Sequence, residues 1–170
     1  MDIIIREATP DDAEKLVAYV TQLTEEKGLD IPWSPGEFNL TVEDERKILE
    51  NYAAADNSAF LVAEARGEII GDLNCKGFTR RALRHTVSLG MSVHKDWRNK
   101  GVGTLLMERA IEWAKSTNIV KRMELSVYER NARARHIYEK FGFQIEGIRK
   151  NFICENGTYI DDVIMALLLQ

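Results

Sequence analysis

The amino-acid sequence predicts a mixed α/β (α+β) domain in which a central sheet of about seven strands is flanked by about four helices, in the order β-α-α-β-β-β-α-β-α-β-β. Three observations carry that expectation. Short β-rich runs alternate with stretches of helical periodicity along the chain, two Gly-containing tight turns mark hairpins, and a Gly-rich turn leads from a strand into a helix. A chain of 170 residues is long enough for one domain, 1–170, with a single core.

The elements follow in order. "IIIREA" (3–8) reads as a strand, after which Thr9 can cap, Pro10 can open and Asp11 and Asp12 favour a helix start. Leu16, Val17, Val20 and Leu23 recur at helical spacing, and Gly28 ends the element. "LDIPWSPGEFNL" (29–40) is a loop punctuated by Pro32, Pro35 and Gly36. Thr41 and Asp44 form a capping-box pair opening a second helix that reaches about Ala55. "AFLVAEARGEIIGDLNCKGF" (59–78) reads as two strands joined at Arg66-Gly67-Glu68, and "HTVSLGMSVH" (85–94) as a third. The next helix, about 102–116, presents Leu105, Leu106, Ala110, Ile111 and Trp113 for burial. "KRMELSVYE" (121–129) is a strand, and "NARARHIYEKFGF" (131–143) a short helix capped by Asn131 and stopped by Gly142. The last stretch places two strands around Glu155-Asn156-Gly157, with Asn-Gly as the hairpin signal.

Composition narrows the function classes. A net charge of -4 gives no general attraction to nucleic acid or anionic membrane, so an anionic ligand needs a local site. No stretch approaches the ~18 apolar residues of a membrane span, and no secretory pattern opens the chain, so cytoplasmic residence is expected. Cys75 and Cys154 lack metal or redox spacing; no metal is expected, and both read as small buried hydrophobes.

The segment "DWRNKGVGTLLM" (96–107) delivers a strand through Arg98, Lys100, Gly101 and Gly103 into a helix. The first four amides of a helix lack intrahelical partners and the helix dipole adds positive character, so such a turn can hold a phosphate. Two familiar phosphate loops do not fit. A dinucleotide fold needs a third glycine where Leu106 stands, and a Walker loop needs Gly-Lys-Ser/Thr. A solvated basic turn is the plain alternative.

The stretch Arg98-Asn99-Lys100-Gly101-Val102-Gly103, with Thr104 next, follows the pattern Arg/Gln-x-x-Gly-x-Gly/Ala. With "LGMSVHKDW" before it, "NARARHIYEKFGF" after it and the full element order, the chain resembles the GNAT-type N-acetyltransferases. The resemblance implies acetyl-CoA as co-substrate, its pyrophosphate on residues 98–104 and its pantetheine arm along the backbone of Met91, Ser92 and Val93. It implies further that Asn131 hydrogen-bonds the pantetheine and that Tyr138 protonates the departing thiolate. Two turns of one helix separate those residues, so they share a face; a cap and a packing tyrosine are their plain readings. Arg133 and Arg135 are candidates for the nucleotide end.

The base is the open point. Some family members carry a glutamate where this chain has Ser126; Glu124 shares its parity and is the substitute candidate, with His85 or an ordered water as alternatives. Acceptor recognition falls to the 29–40 loop, where Trp33 and Phe38 offer apolar walls and Glu37 a negative charge suited to a cationic amine. The expected reaction is acetylation of a primary amine, on a small molecule or a protein, by direct attack on the thioester. A non-catalytic acyl-CoA sensor on the same fold is the alternative, and the terminal hairpin is a candidate edge for a homodimer.

Overall fold

The structure is a computed structural model that describes residues 2–34 and 36–170; Met1 and Pro35, one of the prolines of the expected loop, lie outside it. The chain runs β1 (Ile4–Glu7), α1 (Ala13–Thr24), α2 (Val42–Ala54), β2 (Ala59–Ala65), β3 (Glu68–Gly77), β4 (Thr86–Val93), α3 (Val102–Ser116), β5 (Arg122–Tyr128), α4 (Ala132–Lys140), β6 (Gln144–Glu155) and β7 (Thr158–Leu168). That is the order expected from the sequence. The strands form one sheet in the order β1-β2-β3-β4-β5-β7-β6, with every neighbouring pair antiparallel except β4 and β5. Parallel neighbours need a long crossover, and the segment carrying α3 supplies it.

Alternation along the strands divides the core. Leu61, Leu73, Leu89, Met123 and Met165 face α3 and the end of α4, while Val62 and Ile69 meet Leu16, Leu23 and Leu49 from α1 and α2. The buried stripe of α3 is Val102, Leu106, Met107, Ala110 and Ala114, which leaves Leu105 on the exposed flank against expectation. Gly71 lets that helix sit close, because a Cβ there would lie 3.0 Å from the Ser92 carbonyl and 3.3 Å from both Val102 and Leu106. Cys75 is buried as expected, but Cys154 is exposed, since most of β6 is covered on neither face.

Two local boundaries differ from the sequence reading. A 3-10 turn at Pro10–Asp12 precedes α1, and Asp12 takes the side-chain bonds of Arg6 (2.7 and 2.8 Å) that hold the turn to β1. The helix then ends at Thr24 instead of continuing to Gly28, and Glu26 turns away to pair with Arg98.

The feature that positions the site is a splay between β4 and β5. Their pairing is limited to Thr86, Val87 and Ser88 against Arg122, Met123 and Glu124. Beyond it, β4 runs on to Val93 and β5 to Tyr128 without pairing to each other among the described residues.

Candidate functional site

The chain leaves β4 through a 3-10 turn at Lys95–Trp97 and enters α3 through two left-handed residues, Asn99 (φ 60°) and Gly101 (φ 83°). Gly101 is the N-cap and no side chain caps the helix, so the amides of the first turn of α3 stay open. A Cβ on Gly101 would meet nothing within 4 Å; the requirement for glycine is conformational. Gly103 serves differently. It is buried, and a Cβ there would lie 3.4 Å from Ile137 and 3.5 Å from Met91, so its smallness lets α4 and β4 close around the turn. Gly101→Ala is expected to lower stability by about 1–2 kcal/mol through left-handed strain alone, read as a lowered urea midpoint with unchanged slope.

A cavity of about 380 Å³ opens over this turn, lined by Arg98 and Asn99, Gly101 to Thr104, Met91 to Val93, Asn131, Arg133 and Tyr138. Positive charge around it is arranged differently from the expectation. Arg98 gives both terminal nitrogens to Glu26, one at 2.8 Å, and donates Nε to the Val93 carbonyl at 2.9 Å. That pairing holds the Glu26 carboxyl below its usual range and makes Arg98 a strut between α1 and β4. Lys100 lies over the Trp97 ring, 5.3 Å from its centroid, and does not line the cavity. Arg133 does line it, with a terminal nitrogen 3.4 Å from Asn99 Oδ1, and His136 stands beside it.

On the other face of the sheet lies a second cavity, of about 420 Å³, between α1, α2, the 29–33 segment and the open ends of β4 and β5. The two cavities share Met91, Ser92, Asn131 and Tyr138 and therefore meet in the splay. His94 N–H bonds Ile70 across the β3–β4 pair (2.9 Å), so by alternation Ser92 and Gly90 turn their backbone groups to β3 while Met91 and Val93 turn theirs into the splay.

The side chains at the junction divide by chemistry. Tyr138 is 6% exposed, packs its ring against Phe143 with centroids 5.9 Å apart, and gives its hydroxyl no hydrogen-bond partner among the described residues. Burial pushes that hydroxyl up to about 12, so it stays protonated at neutral pH. Asn131 caps α4, its Oδ1 accepting from Ala134 N–H at 3.1 Å, and lines both cavities. Ser92 Oγ donates to Asp72 and shares a 2.8 Å hydrogen bond with Tyr19. Asp72 sits opposite Ser92 in register, 8% exposed, and burial pushes its carboxyl up to about 6. Glu45 of α2 also lines the second cavity at 6% exposure, with its carboxyl raised by burial and by Asp72.

Several expected residues lie elsewhere. Glu124 bonds Arg122 at 3.0 and 3.1 Å, outside both cavities; Ser126, on the same face, lines the second. His85 stands at the paired end of β4, its carbonyl accepting from Lys121 at 2.8 Å. Trp33 lines the second cavity and meets Phe38 edge to face at 6.0 Å, but Phe38 and Glu37 do not line it, and Glu37 accepts from Ser34 N–H at 2.7 Å. Negative charge at this cavity comes instead from Glu45 and Asp72. Both interrupt an apolar pattern: Glu45 heads the stripe completed by Ile48, Leu49 and Tyr52, and Asp72 shares with Asn74 one face of a central strand.

The sequence model of the acetyltransferase (GNAT) family matches residues 15–143. A GNAT-family acetyltransferase structure from Streptococcus pneumoniae superposes with a TM-score of 0.95 at 36% identity, covering 99% of this chain and 100% of that one. A GNAT-superfamily phosphinothricin acetyltransferase from Sinorhizobium meliloti, solved in complex with acetyl-CoA, shares the fold with a TM-score of 0.84 at 18% identity, covering 99% and 89%. The L-amino acid N-acetyltransferase AaaT of Escherichia coli (strain K12) is 38% identical over 106 residues, 62% of this chain and 65% of that one, so the match spans less than two thirds of the relative.

Proposed function

The chain belongs to the acetyltransferase (GNAT) family, and from that premise we propose that it transfers an acetyl group from acetyl-CoA to a primary amine. The observation that carries this reading is the meeting of two cavities at the unpaired end of β4, one over an uncapped helix N-terminus and the other lined by buried carboxylates. The first cavity suits a nucleotide-bearing ligand. Open amides at Val102, Gly103 and Thr104, with Arg133 beside them, fit a pyrophosphate; the backbone groups of Met91 and Val93 and the side chain of Asn131 fit an amide-rich arm. Acetyl-CoA bound there supplies a thioester at the junction; attack by an amine forms the C–N bond, breaks the C–S bond and releases the CoA thiol.

The chain's own residues then divide the work. One backbone N–H of the unpaired end of β4, from Met91 or Val93, serves the carbonyl oxygen as it develops charge, a term worth ~2.7–4 kcal/mol for one preorganised donor. Tyr138 donates its proton to the departing sulfur. Asp72 receives the proton lost by the amine, passed through Ser92 Oγ, which donates to Asp72 and keeps a second lone pair free beside the one facing Tyr19. Arg98 fixes the end of β4 through Val93 and Glu26.

The test is release of free thiol from acetyl-CoA in the presence of a panel of primary amines. Thiol release that depends on an amine, together with thermal stabilisation by acetyl-CoA and none by NAD, is the expected result. Stabilisation by acetyl-CoA with no thiol release from any amine would replace this reading with a CoA-sensing module.

A further inference from the structure

The charged side chains lining the second cavity are Asp30, Glu45 and Asp72, with no lysine, arginine or histidine among the described lining residues. Asp30 is neutralised by Arg130 at 2.7 Å. The other two are not. Asp72 has Ser92 as its side-chain partner, and the Glu45 carboxylate, on a residue 94% buried by exposure, has neither a hydrogen bond nor an ion pair among the described residues. A buried carboxylate without a partner is costly, and two that face one another across a cavity are costlier still. Around them stand Tyr19 from α1, Tyr52 from α2, and Asn74 and Ser92 from the strands; none carries positive charge. The rest of the wall combines the apolar side chains of Val20, Leu23, Ile48 and Phe60 with the uncharged polar ones of Thr24, Ser126 and Asn131. Tyr128 donates to the Ile31 carbonyl at 2.9 Å and, with the Arg130–Asp30 pair, ties the 29–33 segment down as a roof over this space.

We infer that the acceptor is a small aliphatic diamine or polyamine carrying no carboxylate, with its reactive nitrogen beside Ser92 and Asp72 and a second ammonium group held by Glu45. This rests on the acetyl-transfer reading above and names the substrate class for it. A cation supplies what both carboxylates lack, the apolar side chains of the wall accommodate the methylene spacer, and the roof limits the size of the acceptor. An acceptor carboxylate would meet like charge in a low-dielectric space with no cation to receive it. The Escherichia coli relative is named for L-amino acids; in this chain the charge of the cavity opposes such an acceptor.

The experiment compares 1,4-diaminobutane, 1-aminobutane and 4-aminobutanoate, which share a four-carbon spacer, by thiol release at saturating acetyl-CoA and by calorimetric titration without it. The expected order in kcat/KM is diamine about tenfold above monoamine and on the order of a hundredfold above the amino acid, the size of one gained and one repelled buried charge. Glu45→Gln is expected to bring the diamine to within about threefold of 1-aminobutane. Turnover of 4-aminobutanoate equal to that of the diamine overturns the inference and leaves acetyl transfer standing. Titratable binding of the diamine with no thiol release from any amine supports the cation site and overturns acetyl transfer. No binding and no turnover of the diamine, or a peptide amine preferred to it, overturns the inference.

Discussion

Tyr138→Phe is expected to lower kcat at saturating acetyl-CoA by about a hundredfold, the lower end of what a positioned general acid contributes. The substitution removes one oxygen. Because that hydroxyl has no hydrogen-bond partner among the described residues, and the ring packs against Phe143 either way, thermal stability should stay near wild type. A hydroxyl raised to about 12 stays protonated and so can hydrogen-bond the sulfur as the C–S bond lengthens. It is a weaker acid than an ordinary thiol (~8.5), so the proton moves to sulfur only as the bond breaks and the tyrosine is reprotonated afterwards. A thioester whose leaving thiol is more acidic needs less help, so the deficit should shrink with it. Steady-state rates for both thioesters provide the check, and a variant with full turnover of acetyl-CoA would remove Tyr138 from the chemistry.

Asp72→Asn is expected to lower kcat/KM by about a hundredfold at pH 8 and to raise stability at the same time. In the wild type, the carboxyl raised to about 6 must be ionised to take a proton, so kcat/KM should fall as pH is lowered through about 6, and the variant should lack that limb. The stability effect has the opposite origin. The folded-state value lies above the ordinary 3.8, so the folded chain holds the proton more tightly than the unfolded one; that stabilisation is complete at low pH and is lost as pH rises through about 6. The shift of roughly two units corresponds to a cost on the order of 3 kcal/mol at pH 7 to 8. An uncharged amide still accepts from Ser92 and avoids that cost, so Tm should rise by several degrees. Paired pH–rate profiles and thermal scans test both halves; a variant that keeps the limb near pH 6 assigns the amine's proton to another group.

Much of this was legible from residue patterns, for reasons that can be stated. Element order followed from periodicity, caps and turn residues acting within a few positions: Thr41 with Asp44 does form the capping box, and Glu155-Asn156-Gly157 does turn the last hairpin. Gly101 signalled a bare helix start and Asn131 a cap because both needs are local. What stayed hidden depends on contacts between distant segments. Arg98 lines the first cavity as the sequence suggests, but its ion pair with Glu26, 72 positions away, appears only in the fold. Glu124 reads as a candidate base, and its pairing with the Arg122 guanidinium outside both cavities appears only in the fold. Glu45 and Asp72 belong to different elements, and their common cavity exists only once α2 packs against α1 and β2.

The short seam between β4 and β5 has a consequence for the lifetime of the protein as well as for its chemistry. Three residue pairs at one end join the two halves of the sheet, β1 to β4 and β5 to β7, so the molecule resembles two boards hinged along part of one edge. Local opening along such a seam costs less than opening within either half. A ligand lying in the gap would stitch the boards together, and stabilisation by mass action grows with its concentration. The abundance of the folded chain would then follow the supply of the ligand that fills the seam.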